Sequence, residues 1–261
     1  MATPFLSIIT INYNQAEGLR KTVASVVSQT YPHFEYLIID GNSTDGSVEI
    51  IKEQEGKIDF WISEKDRGIY HAMNKGIEKA QGEYLLFLHS GDQFTSPTIL
   101  AESTSHPKFK GDIIYGDYQF EEGVKVYPDE LYPTYFMKTS LPHQSTFFKK
   151  PVFEWLGNYD ESYTMGADRA FYIKAFLSNK VSFSHIPLFV ALFDLSGMSN
   201  DPVFWERKKE EDQRLLRESY GNQYEYYRKQ YETELQHQLE QRNTLKGILK
   251  RIKKRWRRWM P

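Results

Sequence analysis

Between residues 5 and 92 the chain alternates short apolar runs with segments of helical periodicity, and few architectures accept that alternation. Residues 5–11 and 34–39 are rich in Ile, Leu and Phe and are bounded by Asn, Pro and Gly, as suits strands covered on both faces. Between them Leu19, Val23, Val26 and Val27 recur at helical spacing over 15–29, and Tyr31-Pro32 closes that element because proline disfavours a helical residue before it. A second helix is expected from Ser43 or Thr44, either of which can cap it, with Val48, Ile50 and Ile51 turned toward the sheet. A strand over 58–62, a helix over 69–80 and a strand over 84–88 complete the series. The pattern predicts an α/β chain with a largely parallel, doubly wound sheet, a fold that binds ligands at the carboxyl ends of its strands. The last strand runs into His89-Ser-Gly-Asp92 and so sets one lone carboxylate at that edge.

Beyond Asp92 the periodicity loosens. Segments 112–120 and 124–127 read as a hairpin around Glu-Glu-Gly, 143–149 as a strand, and 151–156 and 168–176 as helices. A length of 261 residues suits one sizeable domain plus an appendage, and 40% hydrophobic with 15% aromatic residues is enough for a core. The absence of cysteine excludes a disulfide, a thiolate zinc site and a cysteine nucleophile, and makes a reducing intracellular compartment natural. The start Met-Ala-Thr-Pro-Phe lacks a basic segment and a long apolar run, so no secretory signal is expected. The longest apolar stretches, such as 186–193, are of strand length and fall short of the ~20 residues a spanning helix needs, which leaves peripheral membrane contact.

Four blocks stand in order: Ile8-Ile-Thr-Ile-Asn-Tyr-Asn14, Ser28-Gln-Thr-Tyr-Pro32, Leu37-Ile-Ile-Asp-Gly-Asn-Ser-Thr-Asp-Gly46, and the stretch from Glu64-Lys-Asp-Arg-Gly to Leu88-His-Ser-Gly-Asp92. Together they resemble the family 2 inverting nucleotide-sugar glycosyltransferases of bacterial surface-polysaccharide type, over roughly residues 5 to 200. The resemblance implies an A-type glycosyltransferase fold, a mostly parallel Rossmann-like sheet flanked by helices. It implies a catalytic domain over 1–202, with a nucleotide-binding half at 5–92 and an acceptor half at 93–202, followed by a helical extension over 203–261. The chemistry it implies is displacement at a sugar carbon: a nucleoside diphosphate leaves while an acceptor hydroxyl attacks from the opposite face. A divalent cation, Mg²⁺ or Mn²⁺, neutralises the leaving phosphates, and a carboxylate takes the hydroxyl proton.

The resemblance places the metal on Asp92, the last acid of a degenerate Asp-x-Asp motif, although an acid beside Gly91 is also ordinary turn chemistry. For the nucleotide, Tyr13 after the first strand is placed to stack on the base and Asp40 at the end of the second to accept from a base or ribose donor; a packed aromatic and an Asx turn are the alternatives. Arg67 and Gly68 lie in the loop that would meet the donor phosphates, with Asp66 expected to hold the arginine, or else Asp66 and Arg67 form only a solvated ion pair. Asp45 is expected to help start the following helix. Asp168, in Met165-Gly-Ala-Asp-Arg169, is the expected base, a role compatible with capping its helix. His143 is a candidate acceptor or diphosphate contact, His89 reads as a buried neutral side chain, and Phe193-Asp-Leu-Ser-Gly-Met-Ser199 resembles the loop after the last core strand.

From Arg242 to Pro261 there are nine Lys or Arg and no acid. On a helical wheel Leu245, Ile248, Leu249, Ile252, Trp256, Trp259 and Met260 share one face, opposite Lys246, Lys250, Lys254, Arg257 and Arg258. Such a helix suits an anionic membrane surface; a nucleic-acid tail and a helix packed on another subunit are the alternatives. The catalytic block offers no nucleic-acid motif, so no nucleic-acid partner is expected. The helices read over 203–240 would carry this tail away from the core and support a homo-oligomer. The expectation is a cytoplasmic enzyme, peripheral on the inner face of the cell membrane, using a UDP- or dTDP-sugar and a lipid-linked glycan acceptor. The competing class is an inactive, membrane-associated scaffold; a dinucleotide oxidoreductase is disfavoured because no Gly-x-Gly-x-x-Gly turn follows the first strand.

Overall fold

The computed structural model describes residues 3–195 and 202–256. Its first half is the series expected from periodicity: β1 (Leu6–Asn12), α1 (Ala16–Val27), β2 (Phe34–Asp40), α2 (Ser47–Glu53), β3 (Phe60–Ser63), α3 (Ile69–Lys79) and β4 (Tyr84–Phe87). These four strands are parallel in the order β3-β2-β1-β4. In register Asn12 faces Asp40 and Asp40 faces Ser63, so three strands end at one level and form a shelf for side chains. The second helix starts at Ser47 rather than at Ser43 or Thr44, because both of those belong to the loop bonded to β1 and β2. Asp45 starts it instead, accepting from the Ser47 amide at 3.2 Å with one oxygen and from the Ala16 amide at 2.8 Å with the other.

Alternation along each strand builds two cores. Ile9, Ile11, Leu37, Ile39, Leu85 and Phe87 bury against α3 on one face, while Leu6, Ile8, Tyr36, Ile38, Tyr84 and Leu86 bury against α1 and α2 on the other. This double coverage is why the strands read as continuous apolar runs.

The second half makes the sheet mixed. It runs β5 (Gln93–Phe94), α4 (Ile99–Ser105), β6 (Ile113–Phe120), β7 (Gly123–Lys125), α5 (Tyr135–Lys138), β8 (Thr146–Lys149), α6 (Pro151–Leu156), α7 (Ala167–Leu177) and β9 (Phe183–Leu192). β8 lies antiparallel between β4 and β6, β7 forms the expected hairpin with β6, and β9 runs parallel to β6. Residues 143–145, expected as strand, form a 3-10 turn that leads into β8.

Two helices follow, α8 (Trp205–Tyr220) and α9 (Tyr224–Trp256). The first does not lead away from the core: Leu215 and Tyr220 are buried in the α3-side cluster. Leu215 packs on the head of α7, its Cδ2 3.0 Å from where a Cβ on Gly166 would stand. Glu211 accepts from the Met165 amide at 2.8 Å, and Asp212 meets Arg169 at 3.0 Å. The start of α9 is tied by Glu234 to Thr134 at 2.9 Å, after which Leu239 is half exposed. Among the described residues no helix is long and apolar enough to cross a membrane. Residues 196–199 of the expected Gly-x-Ser loop and 257–261 of the expected amphipathic tail lie outside the described residues.

Candidate functional site

The shelf formed by β1, β2 and β3 is organised by Asp40. Its fully buried carboxylate accepts from Asn12 Nδ2 at 2.7 Å, the Ser43 hydroxyl at 2.6 Å, the Ser43 amide at 2.9 Å and the Ser63 hydroxyl at 2.6 Å. Four donors fill its acceptor capacity. Asp40 is thus the Asx-type anchor of the loop, and reading a base from it requires exchange of one of these bonds.

Tyr13 is no packed aromatic: it is 67% exposed at the end of β1. A Cβ on Gly41 would lie 3.1 Å from the Tyr13 ring and 3.2 Å from Asp66 Oδ2, so ring, glycine and carboxylate line one cleft. Asp66 was expected to hold Arg67, and here the structure differs. Asp66 Oδ1 lies 2.5 Å from Lys75 Nζ and 3.2 Å from His71 Nδ1, two α3 residues four apart on one helix face. Arg67 turns outward and donates from Nη2 and Nε to Glu161 at 2.6 and 3.1 Å. Its guanidinium is exposed, but its ion pair is with Glu161 and not with Asp66, so the expected Asp66–Arg67 pair does not form.

Gly68 takes a φ of +144° immediately before α3, and a Cβ there would meet open space. Among the described residues no side chain caps α3, so its first amides keep their capacity for an anion.

Asp92 follows Gly91, whose φ of +103° and lack of a side chain are both required: a Cβ would fall 2.3 Å from Asp194 Oδ2. The Thr22 hydroxyl of α1 pins the turn, accepting from the Gly91 amide at 3.0 Å and lying 2.7 Å from the Asp92 carbonyl. Asp92 Oδ1 accepts from the Asp194 amide at 2.9 Å. Burial pushes the Asp92 carboxyl up to about 7; the Asp194 amide and His143 only partly offset it, and the Asp194 carboxylate adds to the rise. Asp194 had no role in the sequence reading; a carboxylate after the last core strand, in Phe193-Asp-Leu-Ser, is the signal that points to it.

Asp168 is the second residue of α7, behind Gly166 with its φ of +123°. It accepts from Tyr70 Oη at 3.1 Å and lies 3.5 Å from His143 Nδ1. Burial pushes its carboxyl up, but His143, the Arg169 amide and Tyr70 outweigh that and hold it below the usual carboxylate range. Tyr70, unnoticed in the sequence, is locked by accepting from the Gly166 amide at 2.6 Å.

His143 is the link between the two carboxylates. Besides Asp168, it feels the charge of Asp92 and lies ring to ring with His89 at 4.6 Å. Among the described residues neither His89 ring nitrogen has a hydrogen-bond partner, and burial followed by the charge of His143 holds its pKa well below the usual range, so the ring is neutral. Among the described residues no group of three His, Asp or Glu side chains is arranged to hold a metal.

A parallel-led sheet that brings Tyr13, Asp40, Asp92 and Asp168 to one edge, with helices on both faces, is the A-type glycosyltransferase architecture. The model for glycosyl transferase family 2 matches residues 7–146, and the chain belongs to that family. An uncharacterized glycosyltransferase of Mycobacterium tuberculosis is 35% identical over 67% of this chain and 70% of its own length. A PGL/p-HBAD biosynthesis glycosyltransferase of Mycobacterium bovis is 30% identical over 78% and 82%. Among solved structures, S. aureus TarS 1-349 in complex with UDP-GlcNAc superposes with a TM-score of 0.66 at 19% identity, covering 82% of this chain and 65% of that one. The mannosyltransferase PcManGT of Pyrobaculum calidifontis, solved with GDP-Man and Mn²⁺, gives 0.62 at 17% identity over 84% and 65%. The chain therefore spans just under two thirds of the length of these solved neighbours.

Proposed function

We propose that this family 2 glycosyltransferase moves a sugar, with inversion, from a UDP- or dTDP-sugar to a hydroxyl of a lipid-linked acceptor in cell-surface polysaccharide assembly. The observation that carries the reading is the convergence on one edge of Asp92 from the donor half and Asp168 from the acceptor half, linked through His143. A relative named for PGL/p-HBAD biosynthesis and neighbours solved with nucleotide sugars support it.

Tyr13 stacks on the base beside Gly41 and Asp66, and the uncapped start of α3 with Gly68 receives the phosphates. Release of Arg67 from the exposed Glu161 brings its guanidinium to them at little cost, since such pairs are worth no more than about 1 kcal/mol. Asp168, kept ionised by its contacts, takes the proton of the acceptor hydroxyl, while Tyr70 and His143 fix the orientation of its two oxygens.

Asp92 and Asp194 offer hard oxygens that suit Mg²⁺ or Mn²⁺, and a buried carboxyl with its pKa near 7 is one that a cation would restore to its charged form. When bound, the ion supplies Lewis-acid stabilisation of the leaving diphosphate, and the remaining coordination falls to the diphosphate and water. The basic stretch 242–261 holds the enzyme on the anionic cytoplasmic face of the membrane, where a lipid-linked acceptor diffuses.

The test is a thermal-shift screen of nucleotide sugars with Mn²⁺ present, followed by turnover of the donor that binds. A uridine or thymidine sugar should raise the melting temperature, and Asp168→Asn should bind it nearly as well yet transfer ~10²- to 10⁴-fold more slowly. If no nucleotide sugar binds or is hydrolysed, the scaffold reading takes its place.

A further inference from the structure

Arg67 belongs by its position to the donor half of the site, yet its partner stands in the acceptor half. From the loop just ahead of α3 it donates from Nη2 and Nε to a single oxygen of Glu161, Oε2, at 2.6 and 3.1 Å. The other oxygen, Oε1, accepts from Asn74 Nδ2 at 3.2 Å. Asn74 is buried on α3 and also clamps the backbone of the segment that carries Glu161, donating to the Tyr159 carbonyl at 2.9 Å and accepting from the Tyr159 amide at 3.0 Å. From the other side Arg214 of α8 donates to the Ser162 carbonyl at 3.1 Å. Glu161 is therefore held from two helices, whereas the Arg67 side chain is 69% exposed. Of the two partners, the arginine is the one that can swing.

Burial pushes the Glu161 carboxyl up, but Arg67 and Asn74 more than offset that and keep it ionised near neutral pH. A charged acid seated on the arginine competes with any phosphate the arginine would meet. The distance between the two positions is short. Asn74 lies five residues along α3 from Ile69, ~7.5 Å at 1.5 Å per residue, so the guanidinium stays beside the first turns of the helix whether it meets Glu161 or a phosphate at the helix start. Exposed pairs of this kind hold weakly, so a diphosphate can displace the carboxylate and the carboxylate can recover the arginine.

We infer that Glu161 is a positioning residue for product release: it competes with the nucleoside diphosphate for Arg67 and takes the guanidinium back once the sugar has been transferred. The inference rests on the glycosyltransferase reading for the identity of the diphosphate, and on the two contacts of Glu161 for the competition. In the transfer the acceptor oxygen bonds to the sugar carbon, its proton goes to Asp168, and the bond from that carbon to the terminal phosphate oxygen breaks with both electrons left on the oxygen. The product diphosphate therefore carries more negative charge than the donor did. It grips a guanidinium more strongly than the donor does, and a carboxylate already fixed beside Arg67 shortens its stay.

Glu161→Gln separates the two contacts: its amide oxygen can still accept from Asn74, while its amide nitrogen offers Arg67 no acceptor. UDP and dTDP are titrated calorimetrically into the full chain with Mg²⁺ present, with uridine and thymidine as controls that lack phosphate and inorganic pyrophosphate as the probe that lacks a base. The variant should bind the nucleoside diphosphate and pyrophosphate roughly three- to tenfold more tightly than the wild type does, and the nucleosides no more tightly. In hydrolysis of the nucleotide sugar, Ki for the product diphosphate should fall by the same factor and the donor KM by less. With Arg67→Gln already in place, Glu161→Gln should change diphosphate affinity by less than about twofold. Unchanged or weaker diphosphate binding by Glu161→Gln would overturn the inference. So would an equal gain in the Arg67→Gln background, which would make Glu161 a plain repulsive charge. If neither UDP nor dTDP binds the wild type but pyrophosphate does, and binds the variant more tightly, the donor assignment fails and the competition for Arg67 stands; if pyrophosphate fails to bind as well, both fall.

Discussion

Asp92→Asn isolates the energetic consequence of burying a lone carboxylate. Its pKa is pushed up to about 7 from an ordinary 3.8, with burial as the main cause. At 1.36 kcal/mol for each tenfold change in the ionisation constant, holding the charged form in the metal-free fold at pH 8 costs up to about 4 kcal/mol. The sign follows from where the proton is held more tightly. The folded state binds it more strongly than the unfolded chain, so this contribution to stability is fully present below pH ~4 and is lost as the pH rises through about 7. Asparagine stays neutral throughout, keeps an oxygen for the Asp194 amide, and escapes the penalty. In EDTA at pH 8 the variant should therefore melt on the order of 10 °C above the wild type, and at pH 4 the two should nearly coincide. Added Mn²⁺ should reverse the ranking at pH 8, because an ion that binds only the folded wild type stabilises it by mass action. Differential scanning fluorimetry at both pH values reads all of this. Equal melting temperatures at pH 8 in EDTA, or an equal Mn²⁺ shift in both proteins, would refute the argument.

Leu215→Ala removes the side chain that α8 lays over Gly166 and should cost ~2–5 kcal/mol in a urea melt, with the acceptor KM raised before the donor KM. Deleting residues 242–261 should release the protein from phosphatidylglycerol vesicles at low salt while donor hydrolysis is retained; co-sedimentation of the truncated chain at the wild-type level would point to a protein partner instead.

What was legible in the sequence is what is local. The strands and helices to Asp92 follow from period 2 and period 3.6 within windows of a dozen residues, and Gly68 and Gly91 mark two of the turns that take positive φ. The partners within the site are not local. Asp194 meets Asp92 across 102 positions, Tyr70 meets Asp168 across 98, and Arg67 meets Glu161 across 94. No spacing rule reaches that far, which is why Asp66 looked like the natural partner of its neighbour Arg67. The register that puts Asp40 between Asn12 and Ser63 was equally out of reach, and with it the saturation of its carboxylate.

α8 and α9 show a different limit. The polar composition of 203–240 suggested helices that leave the core, yet Tyr220, Tyr224, Tyr227 and Tyr231 recur at helical spacing and all pack on the α3-side cluster. A tyrosine stripe carries less hydropathy than a leucine stripe, but each ring adds apolar contact, and the buried Tyr220 keeps its hydroxyl bonded to the Pro133 carbonyl at 2.5 Å. Because α8 braces the head of α7 through Glu211, Asp212 and Leu215, it helps to place Asp168. The strands and turns that carry Asp40 and Asp92 are therefore written in local motifs, even though their partners are not. The placing of Asp168 depends on packing by α8, so under the proposed function changes in α8 should alter the acceptor that is used while leaving the donor unchanged.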